Sequence, residues 1–424
     1  MKNHLFIEKN ENGSIQIPKE VLEKEHQGRH QEYIFYEENG KLVLAPSIHS
    51  VQRLYIEPTA ACNLNCVTCI RKTWKETMGF MKREEFDKLV EDIKEIKTID
   101  SVMFGGFGEP THHPDIYYMI KRISDLGIRT EITTNGTNLT EENIRKLMDA
   151  GLKNLWVSID SMDVARFNEI REGADFGQVF DNLMTLKRMN KGKNKKLTLG
   201  IAFVVTKDNV EDLSRLRSFA TKVWAEKISV SNVIPYDQEM EDKMLCKKTL
   251  FKPLAYRAQD VIRKGTKEVM IPEISLPRID YNKHTKEGLH DIHASMMKTK
   301  TLHEEFKEHN DYCRFINEGN VFVRWDGEVA PCMGLIHSYT TFLNGNQRHM
   351  KEHTFGNLRE KSLKDIWDQE DYRDFRQKVY DFEFSPCVLC GGCEDVDSND
   401  KDCLSNTFPA CGGCLWAQGV IQCP

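Results

Sequence analysis

The sequence lacks what a membrane or nucleic-acid protein would show. Nowhere in its 424 residues does an apolar run approach the roughly 18 residues that span a bilayer. The opening stretch Met1-Lys2-Asn3-His4-Leu5-Phe6-Ile7-Glu8 has no apolar core of the kind a secretory signal needs, so a cytoplasmic protein is expected. Excess charge of one sign is also missing. Lys and Arg number 59 against 65 Asp and Glu, a net charge of -6 with the signs interspersed, which argues against a nucleic-acid partner. The one dense basic run, Lys191-Gly192-Lys193-Asn194-Lys195-Lys196, lies between a helical and a strand pattern and reads as a solvated loop. No internal repeat is present.

Cysteine, in contrast, is abundant, with thirteen in the chain. Thiols in the cytoplasm stay reduced, so clustered ones point to metal or cluster ligation rather than disulfides. They are unevenly spread. Cys62, Cys66 and Cys69 sit within eight residues, Cys246 is alone, and nine fall between Cys313 and Cys423. Two cluster-binding regions are implied.

The pattern along the chain suggests four parts. Residues 1–50 carry two Asn-Gly turns, Asn12-Gly13 and Asn39-Gly40, each flanked by β-formers and read as hairpins, with a short helix at 19–25 opened by Pro18. Residues 51–237 alternate strands (53–56, 101–104, 129–133, 154–159, 197–205, 227–233) with helices (83–96, 115–126, 141–150, 176–189, 210–220). Six βα units imply an α/β fold with a parallel sheet and right-handed crossovers, its ligands at the C-terminal strand ends. Residues 238–310 are polar and read as a helical bridge. Residues 311–424 are short-stranded and rich in Gly and Cys, with a hairpin at Trp325-Asp326-Gly327.

Three thiolates on one short loop can hold three irons of a 4Fe-4S cubane and leave the fourth open; a structural zinc would want a fourth ligand, and none is adjacent. The spacing C-x3-C-x2-C after the first strand resembles the signature of the radical S-adenosylmethionine (SAM) superfamily. By that resemblance Cys62, Cys66 and Cys69 bind the cluster, and the amino and carboxylate groups of SAM chelate its open iron. Thr68 stands where the family usually has an aromatic residue near the adenine. Phe104-Gly105-Gly106-Phe107-Gly108-Glu109-Pro110 resembles the Gly-Gly-Glu-Pro motif of that superfamily, with Glu109 accepting from the SAM ammonium and Gly106 and Gly108 shaping the backbone. Asn135, Ser158, Asp160 and Arg171 match more loosely, Ser158 and Asp160 toward the ribose and Arg171 toward the carboxylate. The alternatives for these are helix caps and a surface ion pair. His112 and His113 read as helix-start residues.

The tail resembles the SPASM domain of radical SAM peptide and protein maturases. Cys313, Cys332 after Gly327, Cys387, Cys390, Cys393, Cys403, Cys411, Cys414 and Cys423 exceed by one the eight thiolates that two auxiliary 4Fe-4S clusters need. Zinc ligation by four of them is the alternative. The family expects a C-x2-C-x5-C-x3-C quartet, and here the gaps after Cys393 are longer. The fold implied is a partial (β/α)6 TIM-like barrel with a SPASM-like domain behind it. The phrase at 13–46 resembles AbrB-like domains, which implies docking or dimerisation for residues 1–50.

The implied chemistry is reductive cleavage of SAM to a 5′-deoxyadenosyl radical that abstracts hydrogen. No catalytic triad is then expected, and a ferredoxin or flavodoxin donor is. Cys69-Ile70-Arg71-Lys72-Thr73-Trp74 and the tail from Cys411 to Pro424 resemble the radical SAM maturases associated with tungsten-containing aldehyde ferredoxin oxidoreductases. Such an oxidoreductase, or its cofactor, is the substrate implied. The other readings are a ribosomal-peptide maturase acting on a precursor peptide, an electron carrier, and a zinc-binding regulator.

Overall fold

The computed structural model describes residues 33–38, 41–46, 48–192, 197–246, 272–294, 298–301, 313–385, 387 and 394–424. The expected hairpin at Asn12-Gly13, the helix at 19–25, residues 193–196 of the basic run, Cys390 and Cys393 lie outside them. Strands β1 (Tyr33–Glu38) and β2 (Lys41–Pro46) pair antiparallel, with Glu38 opposite Lys41, while Asn39-Gly40 also lies outside the described residues. One hairpin alone does not identify an AbrB-like fold for residues 1–50.

Strands β3 (Arg53–Ile56), β4 (Ser101–Phe104), β5 (Arg129–Thr134), β6 (Asn154–Ser158), β7 (Thr198–Val205) and β8 (Ala225–Asn232) lie side by side in chain order. Every neighbouring pair is parallel. Helices on the return paths cover the sheet, so a strand such as Ser101–Phe104 is buried throughout and reads as an unbroken apolar run. In the helix Arg83–Glu95, Phe86, Leu89, Val90 and Ile93 fall on one face and are buried. Thr140 starts the helix Glu141–Asp149 by accepting the N–H of Asn143 at 3.2 Å, and Asp175 does the same for Phe176–Asn190 from Gly177 at 2.6 Å.

The sheet continues past both ends of this six-strand run and reaches eleven strands. Within residues 238–310, read as a helical bridge, the described parts hold the helices Gln238–Lys243 and Lys286–Ala294, and β9 (Glu273–Leu276) and β10 (Lys298–Thr301) extend the sheet, both parallel to their neighbours. On the opposite edge β11 (Asn320–Val323) pairs parallel with β3. It turns through Trp325-Asp326-Gly327 into β12 (Glu328–Ala330), as the hairpin pattern predicts. A separate hairpin, β13 (Tyr339–Leu343) and β14 (Asn346–Met350), follows, and β15 (Gly356–Asn357) closes the edge against β12. The cysteine-rich region is thus woven into the barrel sheet. Among the described residues no helix is long and apolar enough to cross a membrane.

A buried ion triad fastens the two parts. Both ring nitrogens of His337 face carboxylates at 2.8 Å, Nε2 to Glu57 beyond β3 and Nδ1 to Glu76. The Trp74 ring packs on the imidazole with centroids 4.2 Å apart. Burial by itself would lower the pKa of His337; the hydrogen-bonded carboxylates outweigh it and hold it up to about 9. Because the folded value lies above the unfolded one, the triad stabilises fully below about pH 6.5 and loses its contribution as pH rises through 9. We therefore expect His337→Gln to lower the apparent unfolding temperature at pH 6 by an amount reflecting on the order of 3 kcal/mol. At pH 10 the gap to the wild type should shrink sharply. An equal gap at both pH values would contradict a charged triad.

Candidate functional site

The loops leaving β3, β4, β5 and β6 converge at the C-terminal end of the sheet. Cys62, Cys66 and Cys69 lie on the first. Hydrogen bonds from three directions hold that loop. Asn65 and Val67 donate backbone N–H groups to Glu172 and Ile170 at 3.0 and 2.8 Å, and the Tyr236 hydroxyl donates to the Val67 carbonyl at 2.6 Å. The three thiols are half-buried and near enough to act on one another. Burial pushes the Cys66 thiol up to about 11, with Arg171 opposing and Asp160, Cys69 and Cys62 adding.

Glu109 is 3% exposed and sits beneath the loop. Its Oε1 accepts from the Thr111 N–H (3.0 Å) and from the hydroxyls of Thr111 and Thr134 (both 2.6 Å). Its Oε2 accepts from the Asn135 N–H at 2.7 Å and keeps capacity for a further donor. The residue expected to meet a ligand ammonium therefore also ties the β4 loop to the β5 loop. Two glycines make the close packing feasible. Gly106 has φ +152°, and a Cβ there would lie 2.6 Å from Glu57; one on Gly108 would lie 2.1 Å from the Thr59 carbonyl oxygen. Asn135 Nδ2 donates to Asn63 Oδ1 at 2.8 Å and approaches the Cys62 sulfur at 3.9 Å.

Ser158 closes β6, half-buried. Asp160 is buried, accepts from the Val204 N–H at 2.8 Å, and pairs with Arg171 Nη2 at 2.8 Å. This is a buried pair and not a surface one. Arg171 Nε is also buried and has no hydrogen-bond partner among the described residues. His113, with its ring held by the Met81 carbonyl at 2.9 Å and the Asp115 N–H at 3.0 Å, is structural.

In the tail, Cys313, Cys332, Cys411 and Cys414 line one cavity, walled largely by apolar side chains such as Leu335 and Phe375. Burial raises the Cys313 thiol to about 12, and holds those of Cys332 and Cys411 well above their ordinary value. Cys387 lies elsewhere, near Cys403, and Cys403 is 2.9 Å from the Ser385 hydroxyl. Arg348 lies between the groups, in electrostatic contact with Cys387 and Cys414, and donates to the Gly413 carbonyl at 2.7 Å. Cys423, expected among the ligands, stands apart from them. It lines a different cavity with Tyr55, Arg314 and Gln422. The cause is the course of the C-terminal segment, which enters the barrel: Asn232 donates to the Val420 carbonyl at 2.9 Å and Gln422 to the Ser275 carbonyl at 3.0 Å.

The donor sets suit iron–sulfur clusters better than zinc. A tetrahedral zinc with Zn–S bonds of about 2.3 Å draws its sulfurs to roughly 3.8 Å. Among the described residues no three cysteine sulfurs lie within 4.8 Å of one another. Several thiols buried together also ionise only beside a cationic core. Glu76, His337 and Glu352 do bring ligand atoms within 4.8 Å. Both His337 nitrogens are already engaged by carboxylates, however, and Arg324 holds Glu352 at 2.6 Å, so their charges are compensated within the protein. Sequence reasoning did not single out Glu57, Glu76 and His337 because 280 residues separate Glu57 from His337.

Residues 56–220 match the radical SAM superfamily, and residues 313–394 match SPASM, an iron–sulfur cluster-binding domain. A tungsten-containing aldehyde ferredoxin oxidoreductase cofactor-modifying protein of Pyrococcus furiosus is 29% identical, covering 88% of this chain and 96% of that protein. A PqqA peptide cyclase of Granulibacter bethesdensis is 25% identical, covering 82% of this chain and 86% of its own. The crystal structure of Streptococcus suis SuiB bound to precursor peptide SuiA has the same fold at TM-score 0.52 and 19% identity, over 81% of this chain and 70% of that one. With a cysteine-bearing loop at the open end of a parallel αβ sheet and a thiol-rich domain joined to its edge, this chain carries a radical SAM superfamily domain and a SPASM domain, as an enzyme that uses SAM and iron–sulfur clusters.

Proposed function

We propose that this enzyme matures a tungsten-containing aldehyde ferredoxin oxidoreductase, acting on that protein or its cofactor. The similarity to the Pyrococcus furiosus modifying protein carries the reading, because it spans 96% of that protein and so includes both the barrel and the cysteine-rich domain. A ribosomal-peptide maturase is the second reading, supported by the similarity to the peptide cyclase over 82% of this chain. Co-purification separates them: a tungsten oxidoreductase supports the first, a precursor peptide the second.

In this reading Cys62, Cys66 and Cys69 would hold a 4Fe-4S cluster and leave one iron open to SAM. When bound, cluster and SAM supply reductive carbon–sulfur cleavage and hydrogen-atom abstraction. The side chains bind and orient. Arg171, through its unpartnered Nε, takes the SAM carboxylate, and Glu109 Oε2 takes the ammonium. Asp160 and Ser158 face the ribose, and Gly106 and Gly108 let the backbone approach. Asn135 holds the loop beside Cys62. A ferredoxin or flavodoxin supplies the electron.

The cavity shared by Cys313, Cys332, Cys411 and Cys414 supports one auxiliary cluster. Cys387 and Cys403, with Cys390 and Cys393, are assigned to the second. Cys423 is assigned to neither. Anaerobic reconstitution should yield about twelve irons per chain. Cys332→Ala should lose about four of them and Cys423→Ala none. Equal losses in the two variants would refute this partition. With dithionite and SAM the wild type should form 5′-deoxyadenosine and Cys66→Ala should form none; a Cys66→Ala variant of wild-type activity would sink the assignment of that loop.

A further inference from the structure

Arg71 lies two residues beyond Cys69, on the 3-10 helix Ile70–Thr73 that starts there. The turn brings its guanidinium back over the cysteine loop. Nε donates to the Cys69 sulfur at 3.3 Å. Nη1 donates to the Ala60 carbonyl at 3.3 Å and Nη2 to the Leu64 carbonyl at 3.2 Å. Nη1 also approaches the Met78 sulfur at 3.7 Å. Ala60 and Leu64 bracket Cys62, so one planar fork ties the first and last cysteines of the loop together. We propose that Arg71 positions this loop and raises the reduction potential of the cluster held by Cys62, Cys66 and Cys69, an inference that rests on the loop assignment proposed above.

The argument is electrostatic as well as geometric. The four contacts of Arg71 go to two sulfurs and two carbonyls, none of them a carboxylate. Of these four, only the Cys69 sulfur can carry negative charge. The positive charge of Arg71 thus faces that sulfur. The other cysteine surroundings differ. Cys62 accepts from neutral donors, the Leu64 N–H at 3.4 Å and Asn135 Nδ2 at 3.9 Å. Arg171 acts on Cys66 through space, with Nη2 committed to Asp160 at 2.8 Å. Among the described residues no other guanidinium hydrogen-bonds a sulfur of this loop.

Reduction adds negative charge to a thiolate-bound cluster. A cation and an N–H donor at one thiolate stabilise the reduced form more than the oxidised one, which makes reduction easier. Lysine would keep the charge but lacks the fork that reaches one sulfur and two carbonyls together. The cysteine-rich domain braces the same helix: the Thr340 N–H donates to the Thr73 hydroxyl at 3.2 Å, and Trp74 packs on His337.

The test is an anaerobic redox titration of the reconstituted holoprotein followed by electron paramagnetic resonance. The first-cluster signal is recognised as the one that added SAM perturbs. At the potential that half-reduces the wild-type cluster, Arg71→Gln should show a tenfold higher ratio of oxidised to reduced cluster, a midpoint about 59 mV lower for a one-electron couple. Arg71→Lys should lie between the two. A wild-type midpoint in Arg71→Gln at full iron content overturns the proposal. If Arg71→Gln does not retain iron, Arg71→Lys decides on the same terms: a lowered midpoint supports it and a wild-type midpoint overturns it. Lack of any SAM-responsive signal in the wild type would instead remove the loop assignment, and this inference with it.

Discussion

A thiolate shielded from water needs positive charge beside it, and among the described residues this enzyme gathers thiols at three places, most of them half-buried or buried. Without such charge they hold their protons, Cys66 to about 11 and Cys313 to about 12, with Cys332 and Cys411 also raised well above the ordinary thiol value. An iron–sulfur core held at such a place would supply the charge and would make metal loading and ligand ionisation one linked equilibrium. The protein adds its own cations at the margins: Arg71 and Arg171 by the first loop, and Arg348 between the two tail groups.

The parallel sheet explains why the first of these places is where it is. Crossover helices of one hand cover one face of a sheet whose strands follow chain order, the C-terminal segment packs against it, and the strand ends carry the loops that meet a ligand. The four loops are then cross-linked by polar groups that serve two ends at once. Glu109 joins the β4 and β5 loops, Asn135 reaches from β5 to the cysteine loop, and Asp160 with Arg171 backs Cys66 from β6.

The SPASM domain is joined to the barrel by backbone pairing, by the buried triad at His337, and by the C-terminal segment lying inside the barrel. Short contacts therefore run from the cysteine-rich domain to the Cys62–Cys69 loop, through the helix Ile70–Thr73 and Trp74, which Thr340 and His337 brace.

Much of this was legible in the sequence. The alternation of β-branched runs with 3.6-periodic segments over 51–237 specifies six βα units, because parallel strands need crossovers. The spacing of Cys62, Cys66 and Cys69 specifies a three-thiolate loop, because residues that close in the chain share one turn. Local pattern did not reveal β9 and β10 in the polar region 238–310, since strands of four residues carry little apolar periodicity. Nor could it divide the tail. Cys423 is nine residues from Cys414, yet hydrogen bonds to β8 and β9 draw it into the barrel, while Cys313, about a hundred residues away, shares a cavity with Cys414. The sequence by itself determined the fold class, the chemistry and the first loop, since each is written in short-range spacing. Only the tertiary structure decided which distant thiols share a cavity and which charges face them, because those depend on long-range packing that no local pattern encodes.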